Sequence, residues 1–409
     1  MILRFFKSTF LFVLVSITAC GNTSAEKENN KETVQDSVSV QQARIVMGAE
    51  RVGEYLPLFK GKKVGFVGNQ TSIIPAEGQP MHLVDFLLGF EVDLKTVFAP
   101  EHGFRGTADA GEVVKDGKDP KTGLPIISLY GDNKKPSAEQ LKDLDILIFD
   151  IQDVGARFYT YISTLHYVME AAAENNIPVL VFDRPNPNGH YIDGPILEPD
   201  HKSFVGMHTV PVVHGMTIGE YAKMVNGEKW LKNGIQADLT IIEMENYDHS
   251  RSYDLPVKPS PNLPNAQAIN LYPSLCFFEG TNVNAGRGTS KQFQVFGSPY
   301  LPAEKYAFIY TPKSNEGAKS PKHLGEECFG KDLTQHPKLS KINLEWLINA
   351  FQNTSDQKVF FNSFFTKLAG TTKLQTQIEE GLTSEEIREI WKPGLERFKI
   401  VRQKYLSYP

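Results

Sequence analysis

The residues able to do chemistry in this chain of 409 residues gather in short runs flanked by glycine and proline. In Pro100-Glu101-His102-Gly103-Phe104-Arg105-Gly106, a carboxyl, an imidazole and a guanidinium follow one another closely. An acid, a base and an anion clamp would need those three groups. A polar loop with a structural ion pair would read the same way in isolation. A run of hydrogen-bonding side chains beside glycine or proline recurs, however. It appears in Asn69-Gln70-Thr71, in Asp150-Ile151-Gln152-Asp153-Val154-Gly155-Ala156-Arg157-Phe158-Tyr159-Thr160-Tyr161, and in Asp183-Arg184-Pro185-Asn186-Pro187. A further run, Cys276 to Thr289, carries Glu279, Asn282 and Arg287 among three glycines, which let backbone approach a ligand closely.

Amides, carboxylates and aromatic rings together suit a polyol such as a sugar, whose hydroxyls take paired donors and acceptors and whose ring faces stack. Arginines suit a ligand that also bears a carboxylate or phosphate. Hydrolysis of a glycosidic bond usually needs two carboxyls. Glu101, set between Pro100 and the apolar Phe104, is the choice for the acid, with His102 and Asp153 as the other catalytic candidates. Asn69, Gln70, Arg105, Gln152, Arg157, Tyr159, Tyr161, Asp183, Arg184, Asn186, Glu279, Asn282 and Arg287 are the candidates for binding substrate, with Tyr130 as a further aromatic. His214 joins them because it precedes a helix start; Thr217 and Glu220 in that start have capping-box spacing, so Glu220 reads as a helix cap. Ser260-Pro261-Asn262, within a stretch of four prolines from Pro256 to Pro264, could present a fixed amide or form a simple turn. No GxSxG elbow supports a serine nucleophile. No cluster has zinc spacing, and no P-loop, HExxH or GxGxxG run is present. The chemistry is therefore expected to need no metal and no cofactor.

These runs need elements to hold them. Gly61 to Gly68, Leu94 to Ala99, Pro125 to Leu129, Leu144 to Phe149, Ile177 to Phe182 and Ala237 to Met244 read as strands. Met81 to Leu88, Ser163 to Asn175 and Ile218 to Val225 show helical spacing of apolar residues. Strands alternating with helices predict an α/β protein with a mainly parallel sheet and right-handed crossovers. Such sheets bind ligands beyond the carboxyl ends of their strands, which is where four of the polar runs fall. Thr107 to Gly123 reads as a long loop over that edge. The C-terminal third, with Phe360-Phe361, Phe364-Phe365 and a helix from Ser384 to Trp391, reads as packing.

Length favours two domains. Hydrophobic residues make up 41% and charged residues 22%, as in ordinary soluble globular proteins. The formal charge of −5, with no basic stripe, argues against nucleic acid as a partner. Residues 1–20 read as a leader: Arg4 and Lys7 precede an apolar run from Phe10 to Ile17, too short to span a membrane. It ends in Ile17-Thr18-Ala19-Cys20, similar to a bacterial lipobox in which Cys20 would be lipidated. Residues 21–45 are polar and read as a solvated tether. The chain is thus expected as a membrane-anchored lipoprotein, periplasmic or on the cell surface. Cys276 and Cys328 could pair there or remain two buried thiols.

Taken together, the six motifs that include Ala99-Pro100-Glu101-His102-Gly103-Phe104-Arg105-Gly106, Asp150 to Tyr161, His214-Gly215-Met216-Thr217-Ile218-Gly219-Glu220 and Glu279 to Thr289 resemble the NamZ-like family. The resemblance runs from about residue 50 to the C-terminus. It implies an exo-acting β-N-acetylmuramidase that releases terminal N-acetylmuramic acid from the non-reducing ends of peptidoglycan fragments. It also implies a Rossmann-like N-terminal domain (46–205), a smaller α+β C-terminal domain (206–409), and an active site in the cleft between them. The family's proposed catalytic glutamate falls on Glu101. Asn284 and Ala285 stand where the resemblance leads one to expect a Ser-Glu pair. The lactyl carboxylate of N-acetylmuramic acid accounts for arginines in a sugar site. Two rival readings of the same residues are a non-catalytic lipoprotein that binds muropeptides and a cell-wall amidase or esterase using His102 or His214 as base.

Overall fold

The computed structural model describes residues 43–76, 78–105 and 116–409. Residues 107–115 of the expected loop over the sheet edge, and most of the expected leader and tether including Cys20, lie outside them. Residues 44–409 form one compact unit.

Its centre is a seven-stranded sheet built from β1 (Val64–Gly68), β2 (Leu94–Ala99), β3 (Gly117–Lys118), β4 (Pro125–Ser128), β5 (Ile146–Asp150), β6 (Val179–Phe182) and β7 (Leu239–Ile242), in the order β3-β4-β2-β1-β5-β6-β7. All neighbours pair in parallel except β3, which runs antiparallel to β4. The last strand is drawn from well beyond residue 205. Helices α1 (Leu83–Gly89), α2 (Ala138–Leu141), α3 (Tyr161–Glu174) and α4 (Ile218–Gly227) supply crossovers.

The central strands are apolar throughout because both sheet faces are covered. Alternation then divides each strand between two cores. Ile146, Ile148, Leu180 and Phe182 enter the core under α1, while Leu147, Phe149, Val179 and Val181 enter the larger core under α3 and α4. That larger core runs on without a break into the C-terminal part through Phe277, Phe296, Trp346, Phe360 and Phe365.

The C-terminal part holds α5 (Ala266–Leu275), a three-stranded antiparallel sheet of β8 (Val295–Ser298), β10 (Cys328–Asp332) and β9 (Phe308–Tyr310), and helices α6 (Glu345–Asn353), α7 (Phe365–Ala369), α8 (Lys373–Glu379) and α9 (Ser384–Gln403). Thr217 and Glu220 form the expected capping box at the start of α4. Cys276 and Cys328 are both buried free thiols.

The sheet fixes the origin of the site. The chain runs outward from β1 to β2 and β4, then returns to β5 on the other side of β1. The reversal opens a crevice at the carboxyl ends of the central strands. Asn69 follows β1, Glu101 follows β2, Tyr130 follows β4, Gln152 follows β5 and Asp183 follows β6.

Candidate active site

A cavity of about 310 Å³ opens at this edge of the sheet. That volume is suited to a small ligand. One wall is Glu101 and His102 after β2, Tyr130 after β4, and Phe158, Tyr159 and Thr160 before α3. Facing it are Ser260, Asn262 and Leu263 of the proline-rich loop and Tyr272 and Cys276 around the end of α5. Glu279, Arg287 and Phe293 continue this wall, and Phe364 and Leu368 close it from the C-terminal helices.

Glu101 is held where its strand stops. Thr160 Oγ1 donates to its Oε2 at 3.0 Å. Tyr130 lies against the same carboxylate: burial, and then the charge of Glu101, raise the pKa of its phenol. The turn that carries Glu101 is unusual. His102 and Gly103 both take left-handed backbone, with φ of 70° and 75°. A non-glycine residue enters that region at a cost. Tyr272 lies within electrostatic reach of both cavity carboxylates; burial first, then Cys276, Glu279 and Glu101, push its hydroxyl well above its ordinary range. Across the cavity, Arg287 Nη1 meets Glu279 Oε2 at 3.2 Å, and Arg287 Nη2 donates to the Gly317 carbonyl at 3.2 Å.

Several of the predicted binding residues brace the site from behind. Tyr159 donates to the Pro259 carbonyl at 2.9 Å, Tyr161 to the same oxygen at 3.4 Å, and Gln70 Nε2 to it at 3.1 Å. Asn69 Nδ2 donates to the Tyr161 hydroxyl at 2.8 Å. These four clamp the proline-rich loop onto the sheet, which presents Ser260 and Asn262 to the cavity. Gln152 is also structural, donating to the Asp153 and Pro185 carbonyls.

At other positions expected to bind substrate, the structure engages the side chains with partners inside the protein, and these residues do not line the cavity: all but the partly exposed Arg105 are buried. Arg157 is fully buried and donates to the carbonyls of Pro195, Val210, Leu368 and Ala369. Arg184 is fixed on Asp150, Nε at 2.5 Å and Nη2 at 2.8 Å. Arg105 makes a two-point pair with the buried Asp119. Asp183 accepts from Thr217, the Gly219 backbone and Tyr408. Asn186 donates to the Met216 carbonyl, and its amide packs where a Cβ on Gly155 (φ +75°) would stand, 2.3 Å from Oδ1.

Asp153 and His214 are likewise interior. Asp153 accepts from the Gly155 amide at 2.7 Å, and burial raises its pKa to about 7. His214 Nε2 lies 3.8 Å from it, and burial lowers that imidazole to about 3. Neither lines the cavity. Asn282 stands in the same loop as Glu279 and Arg287 but does not line the cavity either. Sequence reasoning missed Thr160, Phe158, Tyr272, Phe293, Phe364 and Leu368 as cavity residues. The last two fall in the C-terminal third expected to serve packing, and only tertiary contact reveals their role.

This constellation, two carboxylates and an arginine in an aromatic cavity at the edge of a parallel sheet, can be compared with known proteins. The family models described as the N-terminal and C-terminal parts of exo-β-N-acetylmuramidase NamZ match residues 64–267 and 270–408. The chain belongs to the NamZ family. It is 41% identical over 375 residues to the peptidoglycan β-N-acetylmuramidase NamZ of Bacillus subtilis strain 168, covering 87% of this chain and 89% of that one. Crystal structures of two DUF1343 family proteins from Bacteroides fragilis NCTC 9343 share the fold. One has a TM-score of 0.81 at 45% identity and the other 0.73 at 28%, each covering 90% of this chain and 99% of its own. As a NamZ-family member the chain is a glycosidase with a mixed α/β fold, and the boundary between the two family models, at 267–270, falls at the start of α5.

Proposed function

We propose that this protein is an exo-β-N-acetylmuramidase in which Glu101 is the general acid and base. It removes terminal N-acetylmuramic acid from the non-reducing ends of peptidoglycan fragments. The observation that carries this assignment is the position of Glu101: at the carboxyl end of a central strand, on the cavity wall, with Thr160 fixing one carboxylate oxygen at 3.0 Å. Protonated Glu101 delivers its proton to the glycosidic oxygen as the bond to the anomeric carbon breaks, and the carboxylate then takes a proton from the incoming water. Glu279 is the second carboxylate on the cavity wall among the described residues. Arg287 is the guanidinium that meets the lactyl carboxylate, since among the described residues it is the arginine on the cavity wall, whereas Arg105, Arg157 and Arg184 do not line the cavity. Tyr272, Phe293 and Phe158 provide apolar surface for the sugar ring and its acetyl methyl.

The test is hydrolysis of a chromogenic β-N-acetylmuramide, with the β-N-acetylglucosaminide as control, by the wild type and Glu101→Gln. Release from the muramide, with at most a weak rate on the glucosaminide, is expected, and the muramide rate should fall about 10²–10⁴-fold in the variant. Binding without turnover by the wild type would instead mark a binding protein and make Glu101 a ligand contact. Release of lactate or peptide with no free sugar would mark an esterase or amidase.

The lipobox-like run ending at Cys20 supports attachment of the mature chain to a membrane facing cell-wall material. Incorporation of a labelled fatty acid in cells, abolished in Cys20→Ala, is the expected result. Equal labelling of the two would refute it.

A further inference from the structure

Glu279 and Arg287 belong to a stretch with little regular structure, a 3₁₀ turn from Cys276 to Gly280 followed by loop. What orders it comes from a distant segment. The Nζ of Lys322 donates to three backbone carbonyls of this stretch: Phe278 at 2.9 Å, Val283 at 3.0 Å, and Thr281. An ammonium ion has three N–H donors and no acceptor, so its capacity matches the three carbonyls. The neighbouring residues reinforce the clasp. His323 Nε2 lies 2.6 Å from the Asn282 carbonyl, and Asn284 Nδ2 donates to the Lys322 carbonyl at 2.8 Å.

We propose that Lys322 is a positioning residue of the active site, whose ammonium ion sets the backbone that carries Glu279 and leads to Arg287. The inference rests on the reading of the cavity as the muramidase site. Lys322 does not line the cavity. It acts through the three carbonyls, and so through where the carboxylate and guanidinium stand. Misplacing such groups by about 1 Å can cost 10²-fold in rate.

The clasp depends on pH. Burial lowers the Lys322 pKa to about 8; Glu279 opposes that shift and Arg287 adds to it. His323 is its chain neighbour, with Glu326 3.9 Å from that imidazole. Above about pH 8 the neutral amine has two donors for three carbonyls, and one bond to the turn is lost. Stability moves the other way. Because the folded-state pKa lies below the ordinary 10.5, the native protein binds fewer protons than the unfolded chain between about pH 8 and 10.5. This group therefore makes stability rise with pH in that window. Tm measured at each pH separates a fall in activity from unfolding.

The experiment measures kcat and KM on a β-N-acetylmuramide across pH 6 to 10 for the wild type, Lys322→Met and Lys322→Arg, with Tm at each pH. The wild type should lose kcat through an ionisation near pH 8. Lys322→Met should lose about 10- to 10²-fold in kcat at neutral pH and lack that ionisation. Lys322→Arg, charged at every pH tested, should recover part of the rate and keep it at pH 9. If the wild type shows no ionisation of kcat between pH 7 and 9, the proposal fails, whether or not Lys322→Met folds. It fails equally if Lys322→Met folds and matches the wild type, or keeps the same alkaline limb. A wild type inactive on muramides at every pH would instead overturn the functional reading on which the proposal rests.

Discussion

The Thr160 hydroxyl donates to the Glu101 carboxylate across 3.0 Å, joining the loops that follow the two strands flanking β1. Sheet topology thereby fixes the carboxyl from the side opposite its own strand. A hydrogen bond to a charged group is worth about 1.5–3 kcal/mol. Thr160→Val keeps the shape and removes the donor. A loss of roughly tenfold or more in kcat/KM is expected, carried mainly by kcat, with little change in Tm. Steady-state kinetics beside a thermal melt would check both halves.

Arg287 should set substrate choice. Its guanidinium lies on the cavity wall beside Glu279, and the lactyl group is what separates N-acetylmuramic acid from N-acetylglucosamine. Arg287→Met is expected to lower kcat/KM on the muramide roughly 10- to 10²-fold, the worth of one charge-assisted bond. The weak rate on the glucosaminide should stay nearly constant. An equal fall on both substrates would mean that Arg287 acts only through Glu279.

The Asp150–Arg184 pair is a stability element. Both side chains are buried, and the guanidinium spans both carboxylate oxygens. Removing one partner leaves the other charge uncompensated, at a cost of about 3–5 kcal/mol. Arg184→Met should therefore lower the denaturation midpoint sharply. The double variant with Asp150→Asn should fall short of the summed single losses, and urea melts of the three proteins would show the coupling.

Asp153 predicts a pH signature. Burial raises its pKa from the ordinary 3.8 to about 7, so the native state holds this proton more tightly than the unfolded chain. Its contribution to stability is present below about pH 4 and is lost as pH rises to about 7. Asp153→Asn removes that term while leaving His214, whose shift has the opposite sense, in place. The Tm difference between variant and wild type should move in the variant's favour from pH 4 to 7, then level off. A difference constant with pH would contradict the assignment.

The strands and the edge at which the site forms were legible in the sequence, because parallel strands buried on both faces leave unbroken apolar runs such as Leu144 to Phe149. The identity of the cavity residues was legible only in part. Arg157 and Arg287 stand in similar glycine-containing runs, yet one meets four internal carbonyls and the other the cavity. Nothing local distinguishes them, since the carbonyls come from residues up to 212 positions away. Phe364 and Leu368 were illegible for the same reason: an apolar helix face reads alike whether a neighbouring side chain or an open cavity lies across from it.

The left-handed backbone at His102 bears on which sequences this site can tolerate. A side chain held at φ 70° costs of order 1–3 kcal/mol and persists only where the surrounding structure forces it, and β-branched residues suffer most. Glycine at 102 would relieve that strain and make the folded protein easier to reach, but it would also give the segment carrying Glu101 conformations the present turn forbids. Selection for robustness and selection for turnover therefore pull this position in opposite directions. Variants chosen for thermal resistance alone should drift toward Gly or Asn at 102 and lose rate as they do.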